Sequence, residues 1–108
     1  MLNESLKGLF KGEFTEVILI CVESGLPEDS NATVVDVRNN PNYSDVDCVV
    51  LLDSKEHQDE VSKNIKNGYR NVSTKRDNSD LKVTVLPLLS NEYIECHEDV
   101  KYSIRHKI

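Results

Sequence analysis

The apolar positions fall into runs of two kinds, one with the spacing of a helix face and one continuous or alternating like a strand. Leu2, Leu6, Leu9 and Phe10 share a helix face and Gly12 follows as a stop signal, which predicts a short helix capping a sheet. FTEVILICV (Phe14 to Val22) is β-branched, apolar and without alternation, so it reads as a central strand covered on both faces. Residues 25–31 gather Gly, Pro, Asp, Ser and Asn into a loop, ATVVDV (Ala32 to Val37) reads as a second strand, and RNNPNYS as another loop. DVDCVVLLD (Asp45 to Asp53) is the third strand. Asp53 then stands at a helix N-cap with Glu56 three residues on, so residues 54–67 read as a helix, with a thin stripe of His57, Val61 and Ile65 and Gly68 as its stop. Residues 70–80 are polar and without period, a loop. LKVTVLPLL (Leu81 to Leu89), EYIEC (Glu92 to Cys96) and VKYSIRHKI (Val100 to Ile108) read as three more strands, and Pro87 places the first at an edge or bulge.

This order predicts an α+β fold: a single domain over residues 1–108, with a mixed, mostly antiparallel sheet of about five or six strands and two helices. Charged residues make up 30% of the chain and hydrophobic ones 38%, but the latter cluster in runs, which separates the chain from disordered sequences. With no tryptophan and two phenylalanines, the core must be built from Val, Leu and Ile. Cys21, Cys48 and Cys96 are odd in number and sit in predicted strands, where free thiols act as small hydrophobes, so a reducing compartment is expected. Four Asn-x-Ser/Thr sequons, at Asn3, Asn31, Asn42 and Asn71, fit the chance yield of ten asparagines. The start MLNESLKGLF lacks a secretion signal, and no apolar run nears the roughly 18 residues of a membrane span. The expected location is cytoplasmic, with no membrane partner.

The net charge of −6 is unevenly spread. Residues 1–62 carry thirteen acids and four bases, whereas residues 63–82 carry two acids and six bases. Phosphate backbones are repelled by the acidic half, which opposes double-stranded nucleic acid as a partner. A basic protein suits it instead. This charge reading places partner contacts at Glu23, Glu28, Asp29, Asp36, Asp45 and Asp47, with no cofactor or metal. The basic segment could also meet the acidic half of a second copy, giving a homodimer.

Asp45 and Asp47, two apart on a predicted strand, would share a face and could hold one Mg²⁺ through oxygen. The stretch Ser44-Asp45-Val46-Asp47 with the apolar run after it resembles the acidic motif of the nucleotidyltransferase superfamily. That resemblance covers about a dozen residues. It implies nucleotidyl transfer, with Asp45 and Asp47 as catalytic, magnesium-binding residues, a third acid on a later strand, and a Gly-Ser turn that holds phosphate after an earlier strand. The chain departs from the pattern in having Glu23-Ser24-Gly25 after its first apolar run and Lys82 and Thr84 where the third acid would stand. Against this, acids at the start of a strand are commonly its water-facing edge. An alternative nuclease set would join Asp45 to Asp53 and Lys55.

The other candidates are sparser. Cys96 and His97 with His106 lack the spacing of a zinc site, and a Cys96–His106 nucleophile pair requires adjacent strands. Lys63, Lys66, Arg70, Lys75, Arg76 and Lys82 surround Tyr69, a pattern open to single-stranded nucleic acid but more simply a solvated helix end and loop. The leading expectation is a small acidic module that binds and inhibits a basic protein, as an immunity protein, antitoxin or phage-type inhibitor does. The alternative is a degenerate or minimal nucleotidyltransferase-like domain that binds nucleotide and magnesium.

Overall fold

A computed structural model describes residues 12, 16, 18, 19, 22, 25, 26, 31–64, 68–71 and 80–105, with backbone alone for 68–71, 80–82, 104 and 105. Its strands are β1 (Asn31–Asp36), β2 (Cys48–Leu52), β3 (Gly68–Asn71), β4 (Asp80–Val83), β5 (Val85–Leu89) and β6 (Val100–Arg105), and the helix α1 spans Lys55–Asn64. Single 3₁₀ turns lie at Pro41–Tyr43 and Ser90–Glu92.

Four strands form one mixed sheet in the order β5-β2-β1-β6. β1 is antiparallel to both β2 and β6, and β2 is parallel to β5. The parallel pair needs a crossover, which α1 and the antiparallel hairpin β3–β4 supply. The expected α+β class with a mixed, mostly antiparallel sheet is what the chain adopts. The expected single sheet of five or six strands is not, because among the described residues β3 and β4 pair only with each other.

The central strands are β1 and β2. Val34, Val35, Val49 and Val50 are all fully buried, so adjacent residues pointing to opposite faces are both covered. On one face, Ala32, Val34, Cys48, Val50, Leu52 and Val85 pack with Val61 of α1 and with Ile18, Val22 and Leu26. On the other, Val35, Val37 and Val49 are covered by Tyr43, Val46 and Tyr93 from loops. Each fully buried valine contributes about 1.5–3 kcal/mol relative to exposure, so this Val-rich pair of strands anchors the domain.

The run 14–22 is not the central strand. Its described residues Glu16, Ile18, Leu19 and Val22 are helical, as is Gly12. Ile18 and Val22, one helical turn apart, are buried together while Glu16 is exposed, a helix periodicity hidden inside a continuous apolar run. The predicted helical stripe Leu2 to Phe10 lies outside the described residues.

Later boundaries also move. Ser54, rather than Asp53, caps α1: its Oγ accepts the His57 N–H at 3.1 Å. Residues 68–71 and 80, expected in or beside a loop, are strand. The predicted strand Leu81–Leu89 breaks at Thr84, and in Glu92–Cys96 only Glu92 belongs to the 3₁₀ turn, the rest being irregular chain. Among the described residues no helix is long and apolar enough to cross a membrane.

Candidate functional site

The two aspartates singled out by spacing do not share a strand face, because β2 starts only at Cys48. Ser44 and Asp45 form a turn after the 3₁₀ turn, and Asp47 is at a bend. Asp45 is exposed, whereas Asp47 is 1% exposed. The expected water-facing lip therefore holds for one of them alone.

Asp47 is part of the backbone wiring. Its Oδ2 accepts the Thr84 N–H at 2.9 Å, and the Thr84 carbonyl in turn accepts the N–H groups of Asp47 at 3.0 Å and Cys48 at 3.2 Å. A carboxylate thus stands in for a strand partner where β4 passes into β5, which explains the break in the strand at Thr84. The magnesium expectation does not fit these residues: Asp47 is buried and committed to Thr84, Asp45 lies in an exposed turn, and the described residues include no group of three His, Cys, Asp or Glu able to hold a metal. Thr84 is one of the two later positions, with Lys82, where a third acid would stand. Gly25, the described part of the supposed phosphate turn, donates its N–H to the carbonyl of helical Val22 at 2.9 Å, so the described residues before it are helix and not strand.

Asp36, at the end of β1, is held by Arg38 through the backbone N–H at 3.1 Å, Nε at 3.1 Å and Nη2 at 3.0 Å. With both side chains largely covered, this pair closes the strand end instead of presenting a charge. Glu23, Glu28 and Asp29 lie outside the described residues. The nuclease set is not assembled either: Asp45 and Asp53 stand at opposite ends of β2, roughly 16 Å of strand apart. Lys55 pairs with Asp59 at 3.0 Å on the exposed side of α1.

Cys48 is a buried hydrophobe in β2, as its position suggested, and Cys96 lies half-buried in a loop. His97 is exposed beside Glu98, and Cys21 and His106 lie outside the described residues. Of the basic group, Lys66, Lys75 and Arg76 also lie outside them. The β3–β4 register sets Tyr69 opposite Lys82, and Lys63 is exposed near the end of α1.

Two arrangements escaped the sequence reading. At the end of the sheet where β2 begins, Asn40 Nδ2 donates to the Ile94 carbonyl at 3.0 Å and to Asp99 Oδ2 at 2.9 Å, while Asn40 Oδ1 accepts from the Asn42 backbone at 2.9 Å. Tyr93 donates its hydroxyl to Asp99 Oδ2 and stacks on Tyr43, with ring centroids 6.2 Å apart. The Tyr43 hydroxyl accepts the Ile94 N–H at 2.9 Å. Burial first, and then the hydrogen bond and charge of Asp99, push the Tyr93 phenol well above its ordinary range. This network staples the loop 37–47 to the loop 93–99. Its available signal was the Asn40-Pro41 step, an N-cap followed by the residue suited to N1.

At the opposite end, the carboxyl ends of the parallel strands β2 and β5 border a cleft of about 320 Å³. Leu51 and Leu52 supply its apolar lining, and Thr33, Ser90, Ser103 and the Asp53 carboxylate its polar one. Asp53 Oδ1 meets His57 Nδ1 at 3.0 Å, and with a carboxylate as acceptor that nitrogen carries the proton. The Asp53 side chain is 70% exposed, and the imidazole orients it. Carboxyl ends of strands at such a crossover are the usual ligand position in α/β sheets.

Comparisons of the chain with protein-family models, with curated proteins and with solved structures return no match.

Proposed function

We propose that the chain is an acidic interaction module that docks on a basic protein and inhibits it, in the manner of an immunity protein, antitoxin or phage-type inhibitor. What supports this reading is the exposed carboxylate surface along α1 and the neighbouring strand ends: Asp53, Glu56, Asp59, Glu60 and Glu92 are exposed there, against Lys55 and Lys63. Lys55 is already occupied by Asp59. Such a surface speeds encounter with a cationic partner and offers acceptors to its Lys and Arg side chains. Asp45 adds a further exposed acid at the far end of β2. Asp36 and Asp47 belong to the fold's own bonding and are not part of the docking set.

The test is capture of a partner from the source cell with the wild-type chain and with the triple variant Asp53→Asn, Glu56→Gln, Glu60→Gln, each at low and high salt. A basic protein retained by the wild type, released by salt and not retained by the variant is the expected result. Retention insensitive to both salt and variant overturns the reading. A rise in melting temperature with ATP and Mg²⁺, abolished by Asp47→Ala, would instead transfer the function to nucleotide binding.

A further inference from the structure

We propose that the cleft at the carboxyl ends of β2 and β5 receives a single arginine or lysine side chain of the basic partner, with Asp53 as its counter-ion. The inference rests on the docking reading and names the point at which the partner is anchored. At about 320 Å³ the cleft is at the small end of ligand sites, a size suited to one side chain. Its lining matches the two parts of such a residue: half-buried Leu51, on the sheet face it shares with Thr33 and Ser103, for the aliphatic stem, and Asp53 with Thr33, Ser90 and Ser103 as acceptors for the cationic head. The carboxylate is accessible and is already oriented by His57, so little side-chain freedom is lost on binding. Among the described residues Asp53 is the only charged group in the lining, which suits a single positive charge. Buried arginine anchors in pockets are typical of the few residues that dominate an interface.

The probe is a short Gly-Ser peptide carrying one arginine, blocked at both ends, together with the same peptide carrying uncharged citrulline. Both are titrated into the isotope-labelled full chain while amide shifts are followed. The expected result is saturable shifts in the millimolar range at Thr33, Leu51, Asp53, Ser90 and Ser103 with arginine and none with citrulline. Asp53→Asn should weaken binding at least tenfold. Glu60→Gln, which removes the same charge outside the cleft, should change it less than twofold. Ser103→Phe, which fills the cleft without altering charge and starts from an exposed strand residue, should abolish the shifts while the rest of the spectrum stays native. Equal weakening by Asp53→Asn and Glu60→Gln, shifts spread over α1, or no shifts at all overturns the anchor. Salt-sensitive capture of a partner that survives Asp53→Asn also sinks the anchor and leaves the docking function standing. Arginine-specific shifts without any salt-sensitive partner sink the docking function and leave a cation site.

Discussion

At the scale of single residues, burial decides which charges are for partners and which are for the fold. Asp45 and Asp47 are two positions apart and chemically identical, yet one is exposed and the other is 1% exposed and bonded to the Thr84 backbone. Removing the buried one leaves an N–H without its acceptor where β4 meets β5. Asp47→Ala should therefore cost about 1–3 kcal/mol in urea denaturation, while Asp47→Asn, which keeps an oxygen in place, should cost much less. Equal losses in the two variants would show that the charge and not the acceptor matters. Nothing in the local sequence separates the two aspartates, because the partner of Asp47 lies thirty-seven positions away. The Asn40–Asp99 bond, across fifty-nine positions, was hidden for the same reason.

At the scale of elements, legibility tracked how locally each one is determined. β1 and β2 were read within a residue or a few of their ends, since short β-branched runs flanked by turn residues are strands by local chemistry. The run Phe14 to Val22 was not, because a continuous apolar stretch has no phase. Its helical character is visible only once Ile18 and Val22 are seen buried on the same side as Ala32 and Val34. α1 was found, but its cap was placed one residue early, both Asp53 and Ser54 being good cap residues. The outcome matters for the site, as Asp53 is thereby released from capping and faces the cleft. Ser54→Ala should lower stability by about 1 kcal/mol and fray α1 in hydrogen exchange, whereas Asp53→Asn should leave helix protection intact. If Asp53→Asn frays the helix as much, the cap assignment fails.

For the whole molecule, the layered core predicts a gradient of protection. β1 and β2 are interior in the sheet and covered on both faces, while β5 and β6 are the two edges. Pro87 contributes no donor to β5, and the Pro87 carbonyl accepts from Gln58 of α1 at 3.2 Å, so that edge is blunted by a helix side chain. Amides of Val34, Val35, Val49 and Val50 should exchange slowest, near the rate set by global unfolding, and those of β6 faster by at least tenfold. Uniform protection across all four strands would contradict that layering.

The β1–β6 ladder, which joins Asn31 to Arg105, has a consequence for how the chain is made. Synthesis must run almost seventy-five residues past the start of β1 before its second neighbour exists, and until then β1 has one open flank. Partly made chains would thus hold a valine-rich ribbon ready to pair with whatever strand comes first. Pairings this distant in sequence also slow the search for the native arrangement, so refolding in milliseconds to seconds is the natural regime for this topology.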